Sequence, residues 1–142
     1  LAVHAAARIG LTGAALVGAL FVTIPRQLLG PFGMDDPIAV AIGTQLLGFL
    51  SVSGFLVTVA LSYTGGLQGT GDTRSPLFIS IVSQIGVPLG MCAIIQTSRV
   101  LQPADIWLAI LLGHATRCLL SVVRFRQGKW RAIRVDLEPS RP

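Results

Sequence analysis

The run from Pro37 to Gly71, PIAVAIGTQLLGFLSVSGFLVTVALSYTGGLQGTG, decides the fold: 35 residues pass without one Asp, Glu, Lys or Arg. A helix needs about 20 apolar residues to cross a hydrocarbon core of about 30 Å, so this run can span a bilayer with length to spare. Ser75 to Ser98 is equally free of charge, and so is Ile9 to Pro25. Ile106 to Thr116 makes a fourth run, which resumes from Cys118 to Val123 after the single interruption at Arg117. A soluble core does not supply four such segments in succession. The composition agrees: 52% of the 142 residues are hydrophobic and 12% charged, at a mean hydropathy of +0.74, where a soluble domain carries about a quarter charged residues. This excludes a disordered chain, a collagen-like repeat and an ordinary soluble enzyme. The expectation is an all-α membrane protein with four transmembrane helices, at about 6–29, 37–64, 76–97 and 103–124, and a basic tail over 125–142.

The breaks are written in prolines and caps. Asp36-Pro37, Ser75-Pro76 and Gln102-Pro103 each place a proline where a helix would begin, and proline suits the first helical position because its missing N–H would have no partner there. Asp36 and Ser75 are the expected caps, and Asp105 suits the positive end of the last helix dipole. The Gly-rich stretches Gly30 to Asp36 and Gly65 to Arg74 read as turns outside the bilayer. Pro88 falls inside the third span and predicts a kink, which membrane helices tolerate.

Charge orients the chain. Antiparallel spans collect Arg8, Arg74, Arg124, Arg126, Lys129, Arg131, Arg134 and Arg141 on one side, against Arg26 and Arg99 on the other. Eight against two predicts cytoplasmic ends by the positive-inside rule. The tail Arg124 to Arg134 reads as a juxtamembrane anchor meeting anionic lipid, with Trp130 at the interface, and not as a nucleic-acid patch. No metal or catalytic constellation is expected: Cys92 and Cys118 lie in different spans without a CxxC or a nearby His pair, and no Walker sequence is present. The glycines from Gly65 to Gly71 follow a membrane helix and no strand, which argues against a phosphate cradle.

The loop Gly66-Leu67-Gln68-Gly69-Thr70-Gly71-Asp72-Thr73-Arg74-Ser75-Pro76 resembles a cytoplasmic loop of the multidrug and toxic compound extrusion (MATE) transporters, whose pattern there is roughly LRGxGDTRxP. Leu28 to Asp36 resembles the family's exit from the ninth helix, and Arg124-Phe125-Arg126-Gln127-Gly128-Lys129-Trp130 resembles the R-x-x-x-G-K-W ending after the twelfth. The resemblance runs in order over nearly the whole chain and implies helices nine to twelve of twelve, part of a six-helix lobe. It further implies a secondary antiporter in the plasma membrane that exports organic cations or amphipathic drugs against H⁺ or Na⁺ influx, by rocking two lobes around a cavity. The partners implied are the bilayer, the remaining eight helices and the drug, with no cofactor beyond the coupling ion.

One departure matters. The NorM-like branch carries an acid in its tenth helix about eleven residues before the loop motif, where this chain has the apolar Phe55-Leu56-Val57. The pattern is closer to the DinF-like branch, whose key acid lies in the first helix, so the coupling site is expected outside these residues. A charge buried in a membrane is costly and usually functional, and here no acid lies within the four charge-poor runs.

The polar residues left in the spans are the site candidates. Gln45, Ser51, Ser53, Thr58, Ser62 and Tyr63 lie along the second, Ser80, Ser83 and Gln84 along the third, and His114 and Arg117 along the fourth. The hydroxyls are expected to pack helices together. Gln45 and Gln84 are costly to bury and, with His114, are the candidates to face a substrate cavity; His114 either titrates near neutral pH or holds a hydrogen bond to a neighbouring helix. Arg117 can snorkel towards the surface. In the loop motif, Gly69, Gly71, Asp72, Thr73, Arg74 and Pro76 form either a capped turn or, through Asp72 and Arg74, a latch between lobes. The missing initial Met predicts a C-terminal fragment of a longer carrier, inactive alone. Two alternatives are a lipid-linked sugar flippase of the same superfamily and a stand-alone four-helix scaffold.

Overall fold

The computed structural model describes residues 2–33 and 36–128. These residues form helices and turns: α1 (Ala2–Thr23), α2 (Pro25–Leu29), a 3-10 turn (Gly30–Phe32), α3 (Pro37–Gly69), α4 (Arg74–Ile81), a π-helical turn (Val82–Gly86), α5 (Val87–Ser98) and α6 (Pro103–Arg126). Four helical stretches, Ala2–Thr23, Pro37–Gly69, Arg74–Ser98 and Pro103–Arg126, are long and apolar enough to cross a bilayer. The chain is a multi-pass, all-α membrane protein. The expected tail lies almost wholly outside the described residues, Lys129 and Trp130 included.

Local chemistry sets the boundaries, and in places moves them from the expected ones. At the first span the helix starts at Ala2 and stops at Thr23. Pro25 has no N–H to continue the ladder, Ile24 turns out of helical geometry (φ −128°, ψ 45°), and the short α2 begins after it. At α3, Asp36 caps the start as expected, its Oδ2 accepting from Ala39 N at 2.9 Å. The far end runs past Thr64 through Gly65, Gly66 and Gly69, so these glycines are helical and the turn shrinks to Thr70–Thr73. At about 1.5 Å per residue the 33 residues of α3 reach about 50 Å, well beyond an apolar core of about 30 Å. At α4 the helix starts two residues before Pro76, which sits in the first turn, where the backbone N–H groups have no helical partner anyway.

The consequence of Pro88 is a change of pitch. Lacking an N–H, it cannot complete the ladder one turn back, and the residues just before it, Val82–Gly86, take the wider π-helical turn. Such bulges inside membrane helices recur at functional sites.

The helices stand in a row: α1 packs on α3, α3 on α6, and α6 on the α4–α5 helix. Close approach along the row depends on small residues, as expected for membrane helices. Gly18 of α1 faces Ser51 of α3, whose Oγ donates to Gly18 O at 3.3 Å and to Leu47 O of its own helix at 2.8 Å. Ser53, Thr58, Ser62, Thr64, Ser83, Thr116 and Ser121 instead donate to carbonyls of their own helices, so of these hydroxyls Ser51 is the one that joins two helices. Near the loop end, Tyr63 stacks edge-on against Phe125 (5.3 Å) and His4 (6.1 Å). There a Cβ on Gly66 would lie 2.6 Å from Val3 Cγ2 and 3.2 Å from Phe125 Cε2. Both neighbours are side-chain atoms that can yield. Gly66→Ala is therefore expected to lower stability by only about 1 kcal/mol, read as a small fall in the unfolding midpoint of the full-length carrier in detergent.

A row buries little. Leu16 on α1 and Ile94 on α5 are each 70% exposed, and α5 has no buried residue. Both broad faces are covered with apolar side chains that belong against lipid or further helices.

Candidate functional site

Folding brings two of the three polar span candidates into contact. The π-helical turn projects Gln84 towards α6, where its Nε2 lies 3.3 Å from His114 Nδ1. With the amide nitrogen donating, Nδ1 is assigned the acceptor role and the ring proton is assigned to Nε2. The approach is possible because the residue before His114 is Gly113. A Cβ there would stand 2.5 Å from the Ser83 carbonyl and 3.1 Å from Pro88 Cγ. Gly113, Ser83, Gln84, Pro88 and His114 thus form one unit: the proline is accompanied by a wide turn, and the glycine lets α6 lie against it. Ser83 is fully buried and its hydroxyl donates to Ile79 O. Gln84 is exposed and His114 half-buried, so one polar pair opens from the helix row in the middle of two spans. Gln45 joins neither. It lines a separate hollow of about 280 Å³ with Gly48, Phe49, Val52 and Leu111.

The loop candidates divide. Gly71 takes φ +88°, a left-handed conformation that glycine adopts freely, and so reverses the chain between α3 and α4. Gly69 ends α3, Thr73 precedes α4, and Pro76 is buried in its first turn. Asp72 is 5% exposed and is the hub. Its Oδ1 accepts from Ser75 N at 3.0 Å and its Oδ2 from Ser75 Oγ at 2.7 Å. The expected roles exchange here: Asp72 caps α4, and Ser75 is the capped residue.

Asp72 also makes an ion pair. Asp72 Oδ2 accepts from Arg124 Nη2 at 3.2 Å, and Arg124 Nε donates to Ser75 Oγ at 2.8 Å. Asp72 therefore pairs with the last turn of α6, and Arg74 points elsewhere, with no ion pair among the described residues. The reason is geometric: Asp72 lies before α4 while Arg74 already belongs to it, and the α6 end is the neighbour the loop meets. Burial by itself would raise the Asp72 pKa. The bonds from the Ser75 hydroxyl, the Ser75 N–H and Arg124 outweigh it and hold the carboxyl below the ordinary aspartate value. At the other end of α6, Arg99 Nη2 donates to Asp105 Oδ1 at 2.6 Å while Asp105 Oδ2 accepts from Gln102 N at 3.0 Å.

Sequence reasoning missed Arg124 as the partner, having counted it among the tail charges. The separation of 52 residues from Asp72 leaves no local signal. Among the described residues no group of three or more His, Cys, Asp or Glu comes together to hold a metal.

Comparison with known proteins adds the family. A family model described as MatE matches residues 2–94. The multidrug resistance protein MdtK of Pectobacterium atrosepticum is 30% identical over 112 residues, covering 76% of this chain and 24% of that protein. A probable multidrug resistance protein NorM of Xanthomonas axonopodis is 30% identical over 97 residues, covering 68% and 21%. Another probable NorM, of Deinococcus radiodurans, is 30% identical over 131 residues, covering 84% and 29%. The chain spans about a quarter of the length of these relatives. No solved structure matches it.

Proposed function

Since this chain belongs to the MatE family, we propose that it supplies four helices of a multidrug efflux carrier of the plasma membrane. The relatives bear multidrug resistance names, and the carrier we infer moves organic cations or amphipathic drugs outward against H⁺ or Na⁺ by alternating access. The observation that carries this reading is the Gln84–His114 pair on an open row of helices. Gln84 spends one amide hydrogen on His114. Its remaining amide donor and carbonyl would cost several kcal/mol if left unpaired in hydrocarbon, so that face of α4 and α6 belongs to a hydrated cavity or to other helices of the carrier. A neutral amide beside an imidazole suits a drug's own polar groups, while the apolar side chains around it suit the drug's rings.

Several finer points belong to the same proposal. The four helices correspond to helices nine to twelve of the carrier, with eight more as partners. Arg8, Arg74, Arg124 and Arg126 gather at the loop end and Arg26 and Arg99 at the other, which supports a cytoplasmic loop end and C-terminus. The DinF-like placement of the coupling acid rests on the apolar Phe55–Val57 stretch of α3, and the NorM names of the relatives weigh on the other side. Drug efflux by the full-length carrier under imposed Na⁺ or pH gradients decides between the coupling ions.

The cavity reading has a direct test. Gln84→Leu and His114→Leu in the full-length carrier should each weaken drug transport about fivefold, the worth of roughly one hydrogen bond. The loss should appear in drug accumulation assays at unchanged carrier level in the membrane. Wild-type transport by both variants would sink the reading.

A further inference from the structure

At the loop end of the row a second polar cluster takes no part in the helix packing or in the Gln84–His114 pair. Arg74, at the start of α4, and Arg117, in α6, line one hollow of about 390 Å³ together with Gln68, Thr73, Ser80 and Leu77. Among the described residues no carboxylate lines it. The neighbouring acid, Asp72, is already engaged by Ser75 and Arg124. Arg117 Nε is shut off from solvent and meets no acceptor among the described residues. A buried donor left in that state bears its full desolvation cost, and two guanidinium groups around one hollow repel each other as well. Arg74 likewise forms no ion pair among the described residues.

One chemical group answers the uncompensated positive charge around this hollow. An oxyanion seated between the two arginines would accept from the planar guanidinium forks, which match phosphate geometry. It would also meet the hydroxyls of Thr73 and Ser80 and the amide of Gln68. We propose that this hollow is a phosphate-binding site at the membrane surface. Arg117 stands nine residues before the end of α6, roughly 14 Å along the axis, and Arg74 stands exposed at the start of α4, so the hollow has one side at the loop end. Leu77 and Ile81, one turn apart on α4 and 58% and 46% exposed, continue from the hollow and offer contact to an acyl chain. The phosphate of an anionic phospholipid and a soluble phosphate ester share the chemistry that the hollow recognises, and the test separates them.

The site stands on its own geometry and is read by binding, so its failure and the failure of the efflux reading are distinguishable. The experiment takes the full-length carrier in detergent and measures retention of phosphatidylglycerol by native mass spectrometry, with phosphatidylcholine for comparison. A parallel arm titrates glycerol 3-phosphate and follows the unfolding midpoint. The expected result is selective retention of phosphatidylglycerol, weakened about tenfold in Arg117→Gln and in Arg74→Gln. Arg126→Gln removes the same charge from an exposed position at the same end and should leave retention unchanged. Response to glycerol 3-phosphate alone, lost in the same two variants, would support the site with a soluble occupant. Equal weakening in all three variants would reduce the effect to surface charge and overturn the site. Absence of binding in both arms would overturn it too. Should Arg117→Gln fail to fold, Arg74→Gln at the exposed start of α4 still decides.

Discussion

Gly113→Ala in the full-length carrier is expected to cost about 2–3 kcal/mol, the upper part of the range for overpacking, although it adds one methyl group. The new Cβ would lie 2.5 Å from the Ser83 carbonyl oxygen and 3.1 and 3.5 Å from Pro88 Cγ and Cδ. None of these atoms can swing aside. The carbonyl is held in the π-helical turn, and the proline ring is fixed to its own backbone. Relief then requires α6 to move away from α4–α5, and that movement would pull His114 off Gln84. Two readouts should therefore fall together: the unfolding midpoint in detergent and drug transport per folded carrier. Gly66→Ala provides the comparison, because its contacts are the side-chain ends of Val3 and Phe125. If Gly113→Ala proved no more harmful than Gly66→Ala, the account of the turn as a rigid seat for α6 would be wrong.

The second large effect is expected at Asp72. Removing one partner of a buried pair leaves the other uncompensated, at about 3–5 kcal/mol when both are fully buried. Here the Asp72 side chain is 5% exposed but that of Arg124 is 29% exposed, so water screens part of the loss. Asp72→Ala should cost about 2 kcal/mol by this discount, and it removes the α4 cap and the Ser75 hydroxyl bond in the same step. Asp72→Asn keeps the shape and can still accept one bond, so a smaller loss is expected. Arg74→Gln should leave stability nearly unchanged, because Arg74 is not the partner. Should Asp72→Asn leave both expression and transport as in the wild type, a latch role for Asp72 is to be dropped and the contact is a clamp within one helix row.

The same contact sets a pH dependence with a definite sign. The folded-state pKa of Asp72 is lowered, so its stabilisation is present in full above the unfolded value of about 3.9. It is lost as pH falls through the lower folded value. The stability difference between wild type and Asp72→Asn should thus stay constant from neutral pH to about pH 5 and shrink below about pH 4. A difference that shrank between pH 7 and 5 would contradict the assignment.

Much of the outline was legible along the chain. Asp36-Pro37 and Gln102-Pro103 mark the starts of α3 and α6, and Gly71 is the residue that reverses the loop. Local signals are ambiguous at two places. The glycines at Gly65 and Gly66 suggest a turn, yet α3 keeps them helical, and at Gly66 the missing side chain admits Val3 and Phe125. Pro88 announced a kink and could not announce that the turn before it would widen to present Gln84. Of the site candidates, Gln84 and His114 stand in two different spans, and nothing in either span indicates that they meet.

That division has a physical cause. Crossing a bilayer is a constraint along one dimension: enough consecutive residues without charge, bounded by caps and prolines, satisfy it whatever their neighbours are. The sequence by itself therefore determined the number of spans and the scarcity of acids within them. Which helices adjoin, and which of their faces meet, is not driven by water, because lipid solvates apolar side chains as well as another helix does. It is settled by where small residues allow close approach and where polar groups find partners. Only the tertiary structure decided that α6 lies between α3 and the α4–α5 helix, that Gly113 seats against the turn beside Pro88, and that Asp72 holds Arg124 and leaves Arg74 free to face Arg117 across a hollow.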